Sequence, residues 1–146
     1  MMLKRSIALF MGLCGVLSVA AAELGNLSPD QVLDMQRNDH ALVVDVRTPA
    51  EWQSTGLIAD SYKLQAFDAT GNFDAEAWVV QLQKLKTSPS QPIILVCRSG
   101  NRSGKVGEVL TQKLGMTRVY HLSNGLQSWF NSGRSLSPNC FTVSCK

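Results

Sequence analysis

The chain has 146 residues, 45% hydrophobic and 17% charged, enough for one domain with a real core and too few for two. Its mean hydropathy is near zero, as in ordinary soluble globular proteins. The formal charge of +3 is too small to favour nucleic acid or an anionic membrane as a general partner.

The first 22 residues stand apart. Lys4 and Arg5 form a basic start, Ile7 to Val19 is an apolar or small-residue run, and Ala20-Ala21-Ala22 offers a cleavage point before Glu23. This is the layout of a secretory signal peptide, and the run falls short of the roughly 20 residues that a spanning helix needs. The expectation is a cleaved leader over residues 1–22, a domain over 23–134 and a tail over 135–146, exported to the periplasm with no stable membrane insertion. Cleavage removes two cations and no acids, leaving 12 basic and 11 acidic residues, a net charge of +1.

After the leader, Ser28-Pro29-Asp30 reads as an N-cap, a proline in the first turn and an acid beside the helix dipole, opening an amphipathic helix to about Asn38. Ala41 to Val46 is a continuous apolar run, as in a strand buried on both faces of a parallel sheet. Thr48-Pro49 opens a short helix that stops near Gly56, and a weak short strand is expected within Leu57 to Gln65. Asp74 caps a longer helix through Trp78, Leu82 and Leu85. Ile93 to Cys97 is the second strong strand, Arg102 to Leu114 a helix with Gly115 beyond its end, Val119 to Leu122 a third strand, and Gly125 to Asn131 a last helix. Trp52, Trp78 and Trp129 read as core. Strands alternating with helices predict an α/β fold, a mostly parallel central sheet with helices on both faces, and a ligand site beyond the carboxyl ends of the strands.

Asp45, Cys97 and the Ser123-Asn124-Gly125 turn all follow strands and so converge on one rim. Cys97-Arg98-Ser99-Gly100-Asn101-Arg102-Ser103-Gly104 carries the most chemistry. It sets a thiol at a helix start, where unpaired N–H groups and the dipole favour an anion and a reactive thiolate. Gly100 permits a tight turn. A free-standing use of Cys97 also suits the cysteine count. Cys14 leaves with the leader, and Cys140 and Cys145 lie close enough in the tail to close a small disulfide loop worth about 2 kcal/mol. The other reading leaves both tail thiols incidental.

Three segments together resemble the single-domain rhodaneses, which are thiosulfate sulfurtransferases. They are Asp45-Val46-Arg47-Thr48-Pro49-Ala50-Glu51-Trp52, the Cys97 to Ser103 loop, and Leu122-Ser123-Asn124-Gly125-Leu126 with Trp129. They occur in the family's order and span most of the mature domain. The chain departs from the family at Leu57, where a histidine is usual, at Ala59-Asp60-Ser61, and at Asn124, which replaces the first of two glycines.

The resemblance implies that the Cys97 thiolate attacks the outer sulfur of a small anionic donor such as thiosulfate, expels sulfite and holds a persulfide. An acceptor then collects the sulfur: cyanide, a small thiol or a protein dithiol. Backbone N–H groups from Arg98 to Ser103 are expected to hold the anions without a titratable base, with Arg98 and Arg102 adding positive charge. Asp45, Arg47 and Glu51 are expected to support the site, Asp45 by accepting bonds from the loop and Arg47 by pairing with Glu51. His40 and His121 have no ligand-like spacing and read as ordinary satisfied histidines, so no metal is expected, and the sulfurtransferase that the resemblance implies needs no organic cofactor.

Two other readings use the same cysteine. A persulfide carrier would pass sulfur to one protein partner with little turnover on free thiosulfate. Cysteine phosphatases and arsenate reductases place five residues between Cys and Arg, whereas four separate Cys97 from Arg102, a spacing that suits a sulfur atom better than a tetrahedral oxyanion.

Overall fold

The computed structural model describes residues 21–137; most of the leader and the two tail cysteines, Cys140 and Cys145, lie outside the described residues. The chain runs β1 (Gly25–Leu27), α1 (Pro29–Asn38), β2 (Leu42–Asp45), α2 (Pro49–Thr55), β3 (Tyr62–Lys63), α3 (Ala75–Leu85), β4 (Ile93–Val96), α4 (Asn101–Glu108), β5 (Val119–Leu122) and α5 (Gly125–Asn131). A π-helical turn, Val109–Lys113, continues α4. The strands form one sheet in the order β1-β5-β4-β2-β3, every pairing parallel.

Strand residues alternate between two faces. Leu42 and Val44 of β2, Ile93 and Leu95 of β4 and Val119 of β5 pack with Trp78 and Leu82 of α3 and Val106 and Leu110 beside them. Val43, Ile94, Val96 and Leu122 face the other way, onto Val32 of α1 and Leu126 and Trp129 of α5. β4 is therefore apolar at every position and β2 at all but its last, Asp45, because helices cover both faces. Each fully buried Leu or Ile contributes about 1.5–3 kcal/mol of transfer free energy. Cys97 continues the parity of Ile93 and Leu95 and belongs to the α3/α4 side.

Local signals set the helix starts. Ser28 and Gln31 form a capping box at α1, and Thr48 and Glu51 form another at α2. Asp74 accepts from the Ala77 N–H at the start of α3. Trp78 and Trp129 are buried, as expected, with their indole N–H groups donating to Leu64 O and Ser135 O. Trp52 departs from expectation: it lies on α2, which buries no residue, and its Nε1 has no hydrogen-bond partner among the described residues. Where the family's histidine is usual, Leu57 is buried and exchanges backbone hydrogen bonds with Ser137 at 3.3 and 2.8 Å. The first residues assigned to the tail are thus tied to the domain.

β1 has no counterpart in the sequence reading. Gly-Asn-Leu carries no apolar run, and the segment becomes a strand only because β5 offers it a parallel edge, pairing Gly25 with Tyr120 and Asn26 with His121. Gly25 fits because a Cβ there would overlap the Tyr120 ring. Gly25→Ala is expected to cost about 1–3 kcal/mol in urea unfolding through overpacking, and most of that cost should vanish when the same change is made in a Tyr120→Ala background.

Candidate functional site

The site is built on the carboxyl end of β4. Cys97 Sγ receives the Gly100 N–H at 3.1 Å and the Ser103 N–H at 3.4 Å, and the Ser103 hydroxyl lies 3.4 Å away. Two amides and one hydroxyl thus converge on one sulfur, a preorganised cradle for a sulfur anion. The cradle is narrower than the Arg98-to-Ser103 ring expected from the sequence, since Ser99 and Asn101 are exposed and no bond joins them to the sulfur. Cys97 is only 1% exposed, so the thiol sits at the bottom of its loop.

Two glycines give the loop its shape. Gly100 has φ +91 and its missing Cβ faces the Ser123 carbonyl. Gly125 has φ +56 and lies against the backbone of Cys97 and Arg98. Any other residue at either place meets both the left-handed strain and a backbone overlap. The close seat at Gly125 lets the loop's carbonyls use the start of α5: Leu126 N–H donates to Cys97 O at 2.9 Å and Gln127 N–H to Arg98 O at 3.2 Å. With its carbonyls drawn outward to α5, the loop presents amides to the sulfur. The Asn124-Gly125 pair therefore serves with its second glycine alone.

The charged residues are divided differently from expectation. Arg47 does not pair with Glu51. It is 2% exposed and binds Asp45 through Nε and Nη2 at 2.7–3.0 Å, while Nη1 donates to Thr55 Oγ1 and Nη2 to Gly56 O. Asp45 in turn accepts from the Arg47 N–H and not from the active loop. This buried pair fixes the end of α2 to the end of β2. Glu51 instead takes both guanidinium nitrogens of Arg102, at 2.8 and 2.7 Å, a fork geometry that orients as well as attracts. The sequence misled here because Arg47 is near Glu51 in the chain, whereas Arg102 reaches it only through the β2–β4 pairing.

Arg102 is therefore committed to holding the loop against α2. Arg98 is exposed, and no hydrogen bond or ion pair holds its side chain among the described residues. It lines a cleft of about 410 Å³ with Glu51, Leu126, Gln127 and Phe130, whose ring is 48% exposed. A larger hollow of about 560 Å³ near His40, Ile58 and Leu136 does not touch the Cys97 loop.

A parallel α/β sheet with a strand-end cysteine cradled by loop amides defines a class of thiolate-loop proteins. Similarity to known proteins narrows that class. The rhodanese-like domain family matches residues 28–132, and the chain belongs to that family, whose general chemistry is sulfur transfer. A rhodanese domain-containing protein of Drosophila melanogaster is 30% identical over 102 residues, 68% of this chain and 91% of that protein. The thiosulfate sulfurtransferase GlpE of Pseudomonas putida is 23% identical over 112 residues, 74% of this chain and 86% of the relative. The homodimeric polysulfide-sulfur transferase of Wolinella succinogenes has a similar fold, with a TM-score of 0.59 at 19% identity, covering 84% of this chain and 85% of that one.

The Arg102 guanidinium holds the Glu51 carboxyl down to about 2 from its ordinary 4.5, against the opposing effect of burial, with the Thr48 N–H helping. A carboxylate with a depressed folded-state value adds stability above its unfolded value and loses it as pH falls through the folded one. The pair is partly exposed, so its contribution is about 1 kcal/mol. Wild type is expected to exceed Glu51→Gln in unfolding free energy by that amount at neutral pH, the difference shrinking between pH 4.5 and about 2; chemical denaturation at stepped pH checks it.

Proposed function

We propose that this protein is a thiosulfate sulfurtransferase with Cys97 as its nucleophile, needing no metal or organic cofactor. The observation that carries the reading is the cradle: Gly100 and Ser103 amides and the Ser103 hydroxyl all directed at one buried sulfur. The thiolate attacks the outer sulfur of thiosulfate, forming a new S–S bond. The bond to the sulfonate sulfur breaks, and sulfite leaves with the electron pair. An acceptor such as cyanide then attacks the outer sulfur of the persulfide, forms thiocyanate and returns the Cys97 thiolate.

The same amides that stabilise the thiolate fit the persulfide anion, so the charge moves outward by one sulfur and remains within reach of its donors. Arg98, exposed on the loop and unpaired among the described residues, supports an anionic donor and the departing sulfite. The deep seat of Cys97 favours small donors over bulky ones. A carrier of persulfide sulfur to a small thiol or protein dithiol uses the same cradle, and the Wolinella and Pseudomonas proteins supply polysulfide and thiosulfate as donor precedents. The basic–apolar leader supports an exported, periplasmic form in which a Cys140–Cys145 bridge leaves Cys97 free.

Thiocyanate formation from thiosulfate and cyanide tests the reading. Wild type is expected to turn over, and Cys97→Ala to fall to background while remaining folded by circular dichroism. Activity retained in Cys97→Ala overturns the assignment of the nucleophile, and sulfur uptake without turnover in wild type moves the reading to the carrier.

A further inference from the structure

The Ser103 hydroxyl continues beyond the sulfur. It lies 3.1 Å from His121 Nδ1, and His121 Nε2 lies 2.9 Å from Asn26 Oδ1. Cys97, Ser103, His121 and Asn26 therefore form one hydrogen-bonded chain from α4 across β5 to β1. Strand parity explains the alignment. His121 is paired in register with Leu95, two residues before Cys97, and Asn26 is paired with His121. Ser103 is completely buried and His121 is 7% exposed, whereas Asn26 is exposed. The far side of the imidazole opens on a hollow of about 540 Å³ lined by Glu23, Asn26, Glu108 and Gln112. That hollow shares no lining residue with the Arg98 cleft. The site thus has two mouths, one on the Arg98 side of the Cys97 loop and one against the far side of the imidazole.

We infer that His121 is a positioning residue which, acting through the Ser103 hydroxyl, takes the proton released when the Cys97 thiol ionises and passes it to solvent at the second mouth. This rests on the reading of Cys97 as the nucleophile. With Asn26 Oδ1 accepting, Nε2 carries the ring proton and Nδ1 is an acceptor. Ionisation moves the thiol proton to Ser103 Oγ while the Ser103 proton moves to Nδ1. The products are a thiolate and an imidazolium, joined by a hydroxyl that now donates to sulfur, with no change of oxidation state. At acid pH the imidazolium stays as the partner of the thiolate and raises the fraction ionised, and as pH rises it releases its proton to water. A proton leaving by this route does not cross the path of an anionic donor at Arg98.

The electrostatic setting fits a neutral resting ring. Burial pushes His121 below the ordinary histidine value, and the Glu108 carboxylate partly opposes it. Of the groups facing the ring, Asn26 on β1, Ser103 on α4 and Gln112 in the π-helical turn are uncharged, Glu108 and Glu23 are the acids at the hollow, where leader cleavage would add the Glu23 α-amino group, and the Cys97 thiol stands at the other end of the hydrogen-bonded chain. Besides His121 Nδ1, the single Ser103 proton has two acceptors within reach, the Cys97 sulfur at 3.4 Å and Gly100 O at 3.2 Å.

The test is the rate of Cys97 alkylation by iodoacetamide from about pH 5 to about pH 9, followed by peptide-resolved mass spectrometry, in the full chain and in Ser103→Ala and His121→Asn. Asparagine keeps an acceptor oxygen for Ser103 but cannot take a proton. Each variant is expected to lose about tenfold in rate at the acid end and to converge with wild type at the alkaline end, and the double variant to lose no more than either single. Folded variants whose profiles superimpose on wild type overturn the relay. Should His121→Asn fail to fold, the ring nitrogen resonances of wild-type His121 decide: alkylating Cys97 must shift their titration midpoint, and an unmoved midpoint overturns the proposal. Because alkylation needs no sulfur donor, a protein that takes no sulfur from thiosulfate defeats the sulfurtransferase reading while leaving this readout intact.

Discussion

The two hydrogen bonds from the Leu126 and Gln127 amides to the carbonyls of Cys97 and Arg98 are the contact on which the site depends. A loop that closes around a sulfur anion must turn its N–H groups inward, and its carbonyls then need partners elsewhere. The start of α5 supplies them, since the first amides of a helix have no partner within it. The approach is possible only because Gly125 has no side chain where the Cys97–Arg98 backbone passes. Gly100 and Ser103 can then both donate to Sγ, at 3.1 and 3.4 Å.

Around that contact the charges have separate tasks. Asp45 and Arg47 form a buried unit that joins β2 to the end of α2. Removing either partner leaves the other charge uncompensated in the interior, which is strongly destabilising. Glu51 has two roles in the same place, closing the α2 capping box and orienting Arg102. One substitution there loosens both the helix start and the loop. Arg98, next to Cys97 in the chain, is exposed, and no hydrogen bond or ion pair holds its guanidinium among the described residues.

Much of this was legible in the sequence, for reasons that differ by element. β4 is an unbroken apolar run and β2 is one up to Asp45, and α1, α2 and α3 carry their caps in plain view at Ser28, Thr48 and Asp74. Cys97 declared itself because a thiol, a glycine and a helix start fall together, and the resemblance to rhodaneses rested on that loop and its two flanking segments. What was not legible depends on register. β1 has no apolar pattern and exists by pairing with β5. The partner of Glu51 depends on how β2 and β4 are aligned, and chain proximity pointed to the wrong arginine. His121 read as an ordinary satisfied histidine, and its two ring nitrogens are indeed both occupied. That one of its partners is the hydroxyl at the Cys97 sulfur follows only from the parity of three strands taken together.

The central claim is that the α5 contact shapes the loop into a cradle for sulfur. Its most direct test is the rate at which Cys97 gains a sulfur from thiosulfate, read by intact mass in wild type and in Gly125→Ala. The account predicts that the variant stays folded by circular dichroism with a lowered melting temperature, and takes up sulfur at least about tenfold more slowly, because the added methyl parts the loop from α5 and turns its amides from the sulfur. Sulfur uptake at the wild-type rate in a folded Gly125→Ala protein would contradict it.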